Sequence, residues 1–432
     1  MSSERRVLVT GMGLATALGL TVKGNWERAL AGASGVRALD RSAEERGPMR
    51  AAATVGDDDW RRIGAAFPRE AETEGERRTL FALWAAGAAL DDARLSAAER
   101  VRCGVVLGAG LGIVRLEDES HWRDDDGRFD EARFACEFSA VHTASLLRNP
   151  SDRAAALLAR RFGLGGVNAT VTSACASATQ AIGTAYRMIR RGDADLIVAG
   201  GADSMIHPVG LIYFVLLGAA STSSAPPPTI CRPFDRRRSG LVMGEGAGVV
   251  VLEAEEHAHR RGVAGLAVVA GYGSSLDGYQ PTAPEPSGDG AAHAMRAALA
   301  DAALPHGEVD YVNAHGTGTR LNDAAETAAI KQVFGPHAGK LAISSSKPLI
   351  GHLLAACGGA ELVFTVLSVA RDAVHATINL AHPDPACDLD YVAGNARRMR
   401  VRHAISNSFG FGGQNACLLV GKVGAAGDRH DH

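Results

Sequence analysis

Much of what would direct this chain to a particular class of function is missing from it. Seven cysteines are scattered without a single C-x-x-C pair, so neither a disulfide framework nor a zinc site is encoded, and a reducing compartment is expected. The net charge is only -3 over 432 residues, which leaves no electrostatic case for nucleic acid or an anionic membrane. The longest strongly apolar run, Gly210 to Ala220, falls well short of the roughly 20 residues of a spanning helix. Met1 to Arg6 is a short polar start without a secretory leader, and the expectation is a cytoplasmic protein, neither inserted nor exported. No G-x-x-x-x-G-K-[ST] phosphate loop is present, and G-M-G-L-A-T-A lacks the spacing of a dinucleotide fingerprint, which argues against nucleotide binding. A small molecule or an ordinary protein partner is left.

What is present is an ordinary globular composition with 46% hydrophobic residues and 51 glycines. The length exceeds one domain and predicts two domains or one large duplicated unit. Arg6 to Thr10 is a short apolar strand closed by Gly11 and Gly13, followed by a helical stretch around Trp26 to Leu30. Leu266 to Gly273 repeats the device, with a helix from about Gly290 to Ala303 after it. The halves also end alike, in Leu196 to Ser204 and Gly246 to Glu253, then in Ala404 to Phe411 and Asn415 to Gly421. Strands alternating with amphipathic helices predict an α/β protein whose sheets are covered on both faces. The expected division is residues 1–258, residues 259–424 and a tail, 425–432. Asp57 to Glu76 and Leu116 to Ala140, rich in charge with Trp60 and Trp122 interleaved, are expected to be solvated insertions, the alternative being a cap or dimer contact.

Chemistry collects at four places. In V-T-S-A-C-A-S-A-T, Cys175 falls between a strand, Val167 to Val171, and a helix, Ala176 to Arg191, that ends at Gly192. A helix start gathers unpaired N–H groups and the positive end of the macrodipole, which favours a thiolate and a developing oxyanion. A lone cysteine is nonetheless more often core packing. Downstream, V-N-A-H-G-T-G-T delivers His315 into a Gly-rich loop. In I-S-S-S-K-P-L-I-G-H-L-L-A-A-C-G-G-A-E, Lys347 sits in a turn, His352 opens a helix and Glu361 lies further along it. The last cluster, I-S-N-S-F-G-F-G-G-Q, sets Phe409 and Phe411 among glycines. One cysteine at a helix start, two histidines in Gly-bounded loops, a lysine and a glutamate fit covalent acyl transfer.

With these motifs, and with R-V-L-V-T-G-M-G, G-D-A-D-L-I-V-A-G-G-A-D-S and R-P-F-D-R-R-R-S-G-L-V-M-G-E-G-A-G, the chain resembles the β-ketoacyl-acyl carrier protein synthases of the elongating, Cys-His-His type, within the thiolase-like condensing enzymes. The match runs from Arg6 to Val423. It implies the thiolase-like fold, two duplicated halves in five alternating α/β/α/β/α layers, and a homodimer, or a heterodimer with a related subunit. It implies an acyl carrier protein as partner, substrates carried on its phosphopantetheine, and neither cofactor nor metal. Cys175 would be the acyl-holding nucleophile, with the backbone N–H groups of Cys175 and Phe409 as the oxyanion hole. His315 and His352 would stabilise the enolate formed as malonyl thioester loses carbon dioxide, with Lys347 and Glu361 in support. Thr317 and Thr319 would bind the phosphopantetheine arm, Leu111 would line the acyl tunnel, Phe409 would gate between the two substrate states, and Phe411 joins the substrate-binding set. Arg232 and Arg236 to Arg238 are candidates to face an acidic carrier.

Some positions depart from the common pattern: Gln280 where histidine is frequent, Gln414 for a frequent threonine, and A-A-C-G-G at Ala355 to Gly359. They put fatty-acid housekeeping in doubt and make a polyketide or polyene pathway an alternative. Two other classes remain open. A non-catalytic chain-length-factor-like partner would lack the active cysteine, and a coenzyme A-dependent thiolase or initiating synthase would carry a cysteine or an asparagine where His352 stands.

Overall fold

The computed structural model describes residues 5–42, 46–74, 76–112, 120–137, 139 and 150–424; the tail 425–432 and parts of the 116–140 segment lie outside them. The first half contributes β1 (Val7–Ala15), β2 (Gly104–Ala109), β3 (Asn168–Val171), β4 (Leu196–Asp203) and β5 (Gly246–Ala254). The second contributes β6 (Ala267–Leu276), β7 (Tyr311–Asn313), β8 (Ala342–Ser344), β9 (His403–Gly410) and β10 (Gln414–Gly421). Hydrogen bonds join all ten in the order β8-β7-β9-β10-β6-β1-β5-β4-β2-β3. Outward from the middle, the halves run β1-β5-β4-β2-β3 and β6-β10-β9-β7-β8, the same permutation. Each has two antiparallel pairings followed by two parallel ones. Among the described strands, the two half-sheets pair where Val7–Val9 meets Ala267–Val269.

The two inner strands do not stop at their glycines, as the sequence pattern suggested. β1 runs on through Gly11 and Gly13 to Ala15, and β6 through Gly271 and Gly273 to Leu276. The glycines are there because a helix backbone lies against the strand. A Cβ at Gly11 or Gly13 would come within 2.2 or 1.9 Å of Ala89 O or Ala85 O. One at Gly271 or Gly273 would come within 2.2 or 2.1 Å of Ala298 O or Ala294 O. The repeated apolar-to-glycine device therefore marks strand-to-helix contact rather than a strand end.

The helices pressing on the outside of the first half are α1 (Arg77–Asp92) and α2 (Arg153–Phe162); α4 (Asp289–Asp301) and α5 (Arg320–Phe334) cover the second. Between the half-sheets lie α3 (Ser177–Arg191) and α6 (Cys357–Arg371), which touch strands of both halves and each other. The result is the α/β, thiolase-like arrangement of five alternating layers. Every residue of α6 from Cys357 to Val369 is buried. Leu354–Arg371 is long and apolar enough to cross a bilayer, but 89% of that stretch is buried in the protein, so its hydrophobicity is that of a central core helix. α3 ends where expected, with Gly192 at φ 87° taking the left-handed position that closes a helix.

The 57–76 segment is not simply solvated. It folds into helices Asp57–Ala66 and Pro68–Glu74, sends Ile63 and Phe67 into the core beside α1, and buries Glu74 against Arg153 with two hydrogen bonds of 2.7 and 2.8 Å. Charge density at the ends of the segment hid an amphipathic interior. Within 116–140, Trp122 is buried against Phe134, ring centroids 5.1 Å apart.

Gly248 in β5 faces the start of α6, where a Cβ would lie 2.1 Å from Ala360 N. Gly248→Ala is expected to lower stability by roughly 1–3 kcal/mol through overpacking, whereas Gly307→Ala, which meets nothing within 4 Å, leaves it unchanged. Urea unfolding midpoints of the two variants check this.

Candidate active site

Cys175 lies two residues ahead of α3, and a tight turn sets its position. Ala174 adopts φ +48°, a strained conformation for a residue with a Cβ, and Ser177 locks it by accepting Ser173 N–H at 2.8 Å and donating to Ala174 O at 2.7 Å. The cysteine is 5% exposed and borders a cavity of about 750 Å³ that His315, His352, Phe409, Gly410 and Phe411 also line.

The two histidines arrive on second-half segments with separate supports. His315 follows β7 in a loop whose backbone is gripped by the buried Glu326: its two carboxylate oxygens accept His315 N–H and Gly316 N–H, each at 2.8 Å. The His352 backbone pairs with the 242–244 segment, donating to Val242 O and accepting from Gly244 N–H, both at 2.8 Å. The sequence suggested that His352 opens a helix; it precedes a short 3-10 turn, Leu354–Ala356, and α6 begins at Cys357. The two rings meet edge to face, centroids 5.5 Å apart and planes at 86°.

Behind His315 lies Lys347, fully buried, on the four-residue helix Lys347–Ile350. Its Nζ donates to Glu361 Oε1 at 2.6 Å and stands 3.4 Å from His315 Nδ1. Burial opposes the charge on Lys347, but the Glu361 carboxylate outweighs it and holds the ammonium protonated. That cation, added to burial, keeps both imidazoles well below the ordinary histidine value of 6.5; His315 and His352 are therefore neutral. Their tautomers follow from what stands behind them. An ammonium faces His315 Nδ1, and Leu354 N–H donates to His352 Nδ1 at 2.9 Å. Each Nδ1 must accept, so each Nε2 carries the proton and donates into the cavity.

This bears on a metal. By spacing alone the ligand atoms of Cys175, His315 and His352 lie within 4.8 Å of one another, close enough to clasp an ion. With both Nε2 atoms protonated, neither imidazole presents a lone pair toward the cysteine. The trio is built to donate hydrogen bonds.

Cys175 differs from the expectation of a favoured thiolate. Burial pushes its thiol up to about 12, against the lowering effects of Lys347 and of a hydrogen bond from Phe411 N–H. The helix start is present, but desolvation dominates. The same contact bears on the oxyanion hole, for which Phe409 was the expected donor. Phe409 lies inside β9, opposite Asn415 of β10, while Phe411 opens the turn beyond the strand, and its N–H faces the thiol. The ring of Phe409 stands 5.8 Å from that of His315, and the ring of Phe411 stacks on Phe214 at 6.2 Å. Gly410 sits between them because a Cβ there would approach Cys175 N and Ala176 N at 3.1 and 3.3 Å.

Thr317 and Thr319 both line the cavity, their hydroxyls 2.9 Å apart. Leu111 does not: it is 66% exposed on the loop after β2. Arg238 is no docking residue, being 3% exposed and ion-paired with Asp384 at 2.5 Å and Asp323 at 3.5 Å; Arg236 and Arg237 remain exposed. Glu326 escaped the sequence reading, and its only signal was an acidic residue among Ala325, Ala329 and Ile330 on a buried helix face. Also unforeseen, Asp277 joins the loop ahead of α4 to the Gly-rich turn. Its N–H donates to Gly413 O at 2.9 Å, and its carboxylate accepts from Asn415 Nδ2 at 2.6 Å.

Removing one member of the Lys347–Glu361 pair strands the other charge in the core. Lys347→Met is expected to destabilise the protein by about 3–5 kcal/mol, and Lys347→Met with Glu361→Leu by less. Denaturant titration of the single and double variants tests the coupling.

The cavity, the paired donors and the buried thiol agree with what the chain is similar to. Two family models match it: beta-ketoacyl synthase, N-terminal domain, over residues 4–258, and beta-ketoacyl synthase, C-terminal domain, over residues 266–381. The 3-oxoacyl-[acyl-carrier-protein] synthase 2 of Staphylococcus aureus (strain COL) is 37% identical over 98% of this chain and 100% of its own length. That of Synechocystis sp. is 38% identical over 97% and 98%. Among solved structures, a beta-ketoacyl synthase from Burkholderia phymatum superposes with a TM-score of 0.83 at 34% identity, covering 97% of this chain and 99% of that one. The ishigamide ketosynthase/chain length factor gives 0.82 at 32%, covering 97% and 99%. A type II polyketide acyl carrier protein in complex with its ketosynthase, bound to the hexaketide, gives 0.86 at 29%, covering 97% and 100%. With a buried cysteine beneath two neutral histidines and family matches on both halves, this chain belongs to the β-ketoacyl synthase family.

Proposed function

We propose that the protein joins an acyl group held on Cys175 to malonyl-acyl carrier protein, with loss of carbon dioxide, giving a β-ketoacyl-acyl carrier protein. The observation that carries this reading is the convergence of one thiol and two Nε2–H donors on one cavity. In the first half-reaction the Cys175 sulfur attacks the acyl thioester, the carrier thiol leaves and takes up the proton, and the acyl group stays on the enzyme. The N–H groups of Cys175 and Phe411 hold the tetrahedral oxyanion; one such donor is worth roughly 3 kcal/mol. In the second, the bond from the malonyl carboxylate to its α-carbon breaks, carbon dioxide departs, and the electron pair becomes an enolate. The thioester oxygen takes hydrogen bonds from His315 and His352, and the α-carbon attacks the acyl-Cys175 carbonyl, breaking the carbon–sulfur bond and releasing a thiolate that takes a proton from water to restore the thiol. Lys347, held charged by Glu361, keeps His315 a neutral donor throughout. Thr317 and Thr319 hold the phosphopantetheine arm at the entrance.

A carrier protein as partner is supported by the names of the curated relatives and by the carrier complex among the similar structures. The acyl group has two candidate origins. The curated relatives favour a fatty acyl chain, and the polyketide ketosynthases among the structural neighbours, with the departures at Gln280, Gln414 and Cys357, favour a polyketide or polyene chain. The intact Cys-His-His set favours a catalytic subunit over a chain-length-factor-like partner, and His352 disfavours a thiolase or initiating synthase using coenzyme A. A dimer, with a second copy or a related subunit, is favoured by the edge position of β3, which among the described residues pairs on one side only. Seven free cysteines favour a reducing, cytoplasmic setting.

Intact mass after incubation with acyl-carrier protein should show one acyl adduct, lost in Cys175→Ala; an unmodified wild-type protein would overturn the reading. A panel of acyl primers, each taken through one condensation, then separates fatty acyl from polyene substrates, and malonyl-coenzyme A against malonyl-carrier protein tests the carrier. Because both histidines are neutral with values well below 6.5, acidification does not protonate them until far down the scale. Malonyl decarboxylation should stay flat from about pH 8 to pH 6, and a midpoint near the ordinary histidine value would contradict the arrangement.

A further inference from the structure

Asp203 is the last residue of β4, a first-half strand, and is 2% exposed. Its carboxylate accepts two backbone N–H groups. One comes from the adjoining Ser204, 2.8 Å from Oδ1. The other comes from Ala355, 3.0 Å from Oδ2 and 152 positions away in the chain, in the turn that carries His352. Gly110 leaves the room for this carboxylate, since a Cβ there would lie 2.4 Å from Oδ2. Burial raises the Asp203 carboxyl, and Arg78 with the two N–H groups opposes that rise.

Between His352 and Ala355 the chain is strained. Leu354 adopts φ +53°, which a side chain bearing a Cβ holds only when its surroundings fix it. Its N–H is the donor that sits on His352 Nδ1 at 2.9 Å. The next N–H along, that of Ala355, is the one Asp203 accepts. Successive peptide groups around a left-handed residue thus face the catalytic ring on one side and a fixed carboxylate on the other. The thiol of Cys357, 3.4 Å from the same Nδ1, belongs to the same turn. The backbone of His352 is already held by the 242–244 segment, so the turn is left to set the ring. Asp203 does not border the cavity; its carboxylate raises the Cys175 thiol through space, and its hydrogen-bonded reach toward His352 passes through Ala355 and Leu354.

We propose that Asp203 is a positioning residue for His352. By accepting Ala355 N–H it keeps Leu354 left-handed, and so keeps Leu354 N–H on Nδ1 and the Nε2–H donor aimed at the malonyl thioester. The first half of the chain thereby supplies the nucleophile and also orients a histidine of the second half. This rests on the role proposed above for His352.

The half-reactions separate the possibilities. Asp203→Asn offers an amide where two N–H groups need acceptors, so one contact is lost. Malonyl-carrier decarboxylation should fall by at least about tenfold, as for a catalytic group displaced by a fraction of an ångström, while acylation of Cys175, followed by intact mass, stays within about twofold. Leu354→Gly removes the strain, because glycine takes this φ freely; in that background Asp203→Asn should cost little further decarboxylation. Parallel loss of both half-reactions, no loss of either, or an undiminished penalty beside Leu354→Gly would each overturn the inference. Circular dichroism checks folding. If Asp203→Asn does not fold, Asp203→Ser takes its place, and if neither folds, Asp203 serves folding and the inference falls. His352→Ala is the control: were it to retain decarboxylation, the role of His352 itself would fail, independently of Asp203.

Discussion

The site depends on how closely two central helices can approach the strands around them and each other. A Cβ at Gly108 would lie 2.4 Å from Ala178 N, one at Gly358 1.9 Å from Thr179 Oγ1, and one at Gly359 2.1 Å from Gly248 O. Only missing side chains allow this spacing. α3 and α6 then lie side by side between the half-sheets, and Cys175 ahead of α3 meets the turn ahead of α6. A cysteine beside two histidines on one cavity is the result of a duplicated fold that brings equivalent helix starts together.

Electrostatics within that packing follow from burial first and then from one buried cation. The Lys347 ammonium, neutralised by Glu361 at 2.6 Å, sits behind His315 and acts on both imidazoles and the thiol. A histidine that stays neutral and carries its proton on the cavity side is a hydrogen-bond donor, the kind of group that stabilises a developing oxyanion. The same low-dielectric surroundings raise the Cys175 thiol. Lys347 and the Phe411 N–H lean the other way, so the nucleophile is balanced between desolvation and local positive potential.

Legibility in the sequence was uneven, for physical reasons. The fold was legible because periodicity and repeated strand-to-glycine runs are local, and local patterns survive any tertiary arrangement. His315, Lys347 and His352 stood out because each lies beside a punctuating glycine or proline, and Cys175 and Glu361 because each falls in a motif that the family shares. The meaning of Gly11 and Gly271 was misread, since a glycine that ends a strand and one that admits a helix backbone look the same in one dimension. The burial of Ile63 and Phe67 was masked by neighbouring charge. Phe409 and Phe411 could not be told apart, because which N–H faces the thiol depends on where the β9–β10 ladder ends.

The sequence by itself determined the α/β class, the duplication and the motifs that carry Cys175, His315 and His352, since these follow from residue type, order and local spacing. Tertiary structure alone decided which proton each histidine carries, that Glu326 grips the His315 loop, that Asp203 reaches the turn at Ala355, and that Arg238 is tied up in ion pairs. These contacts span separations from 2 residues, Leu354 to His352, to 152, Ala355 to Asp203, and no local pattern encodes the distance between two groups until the chain has folded.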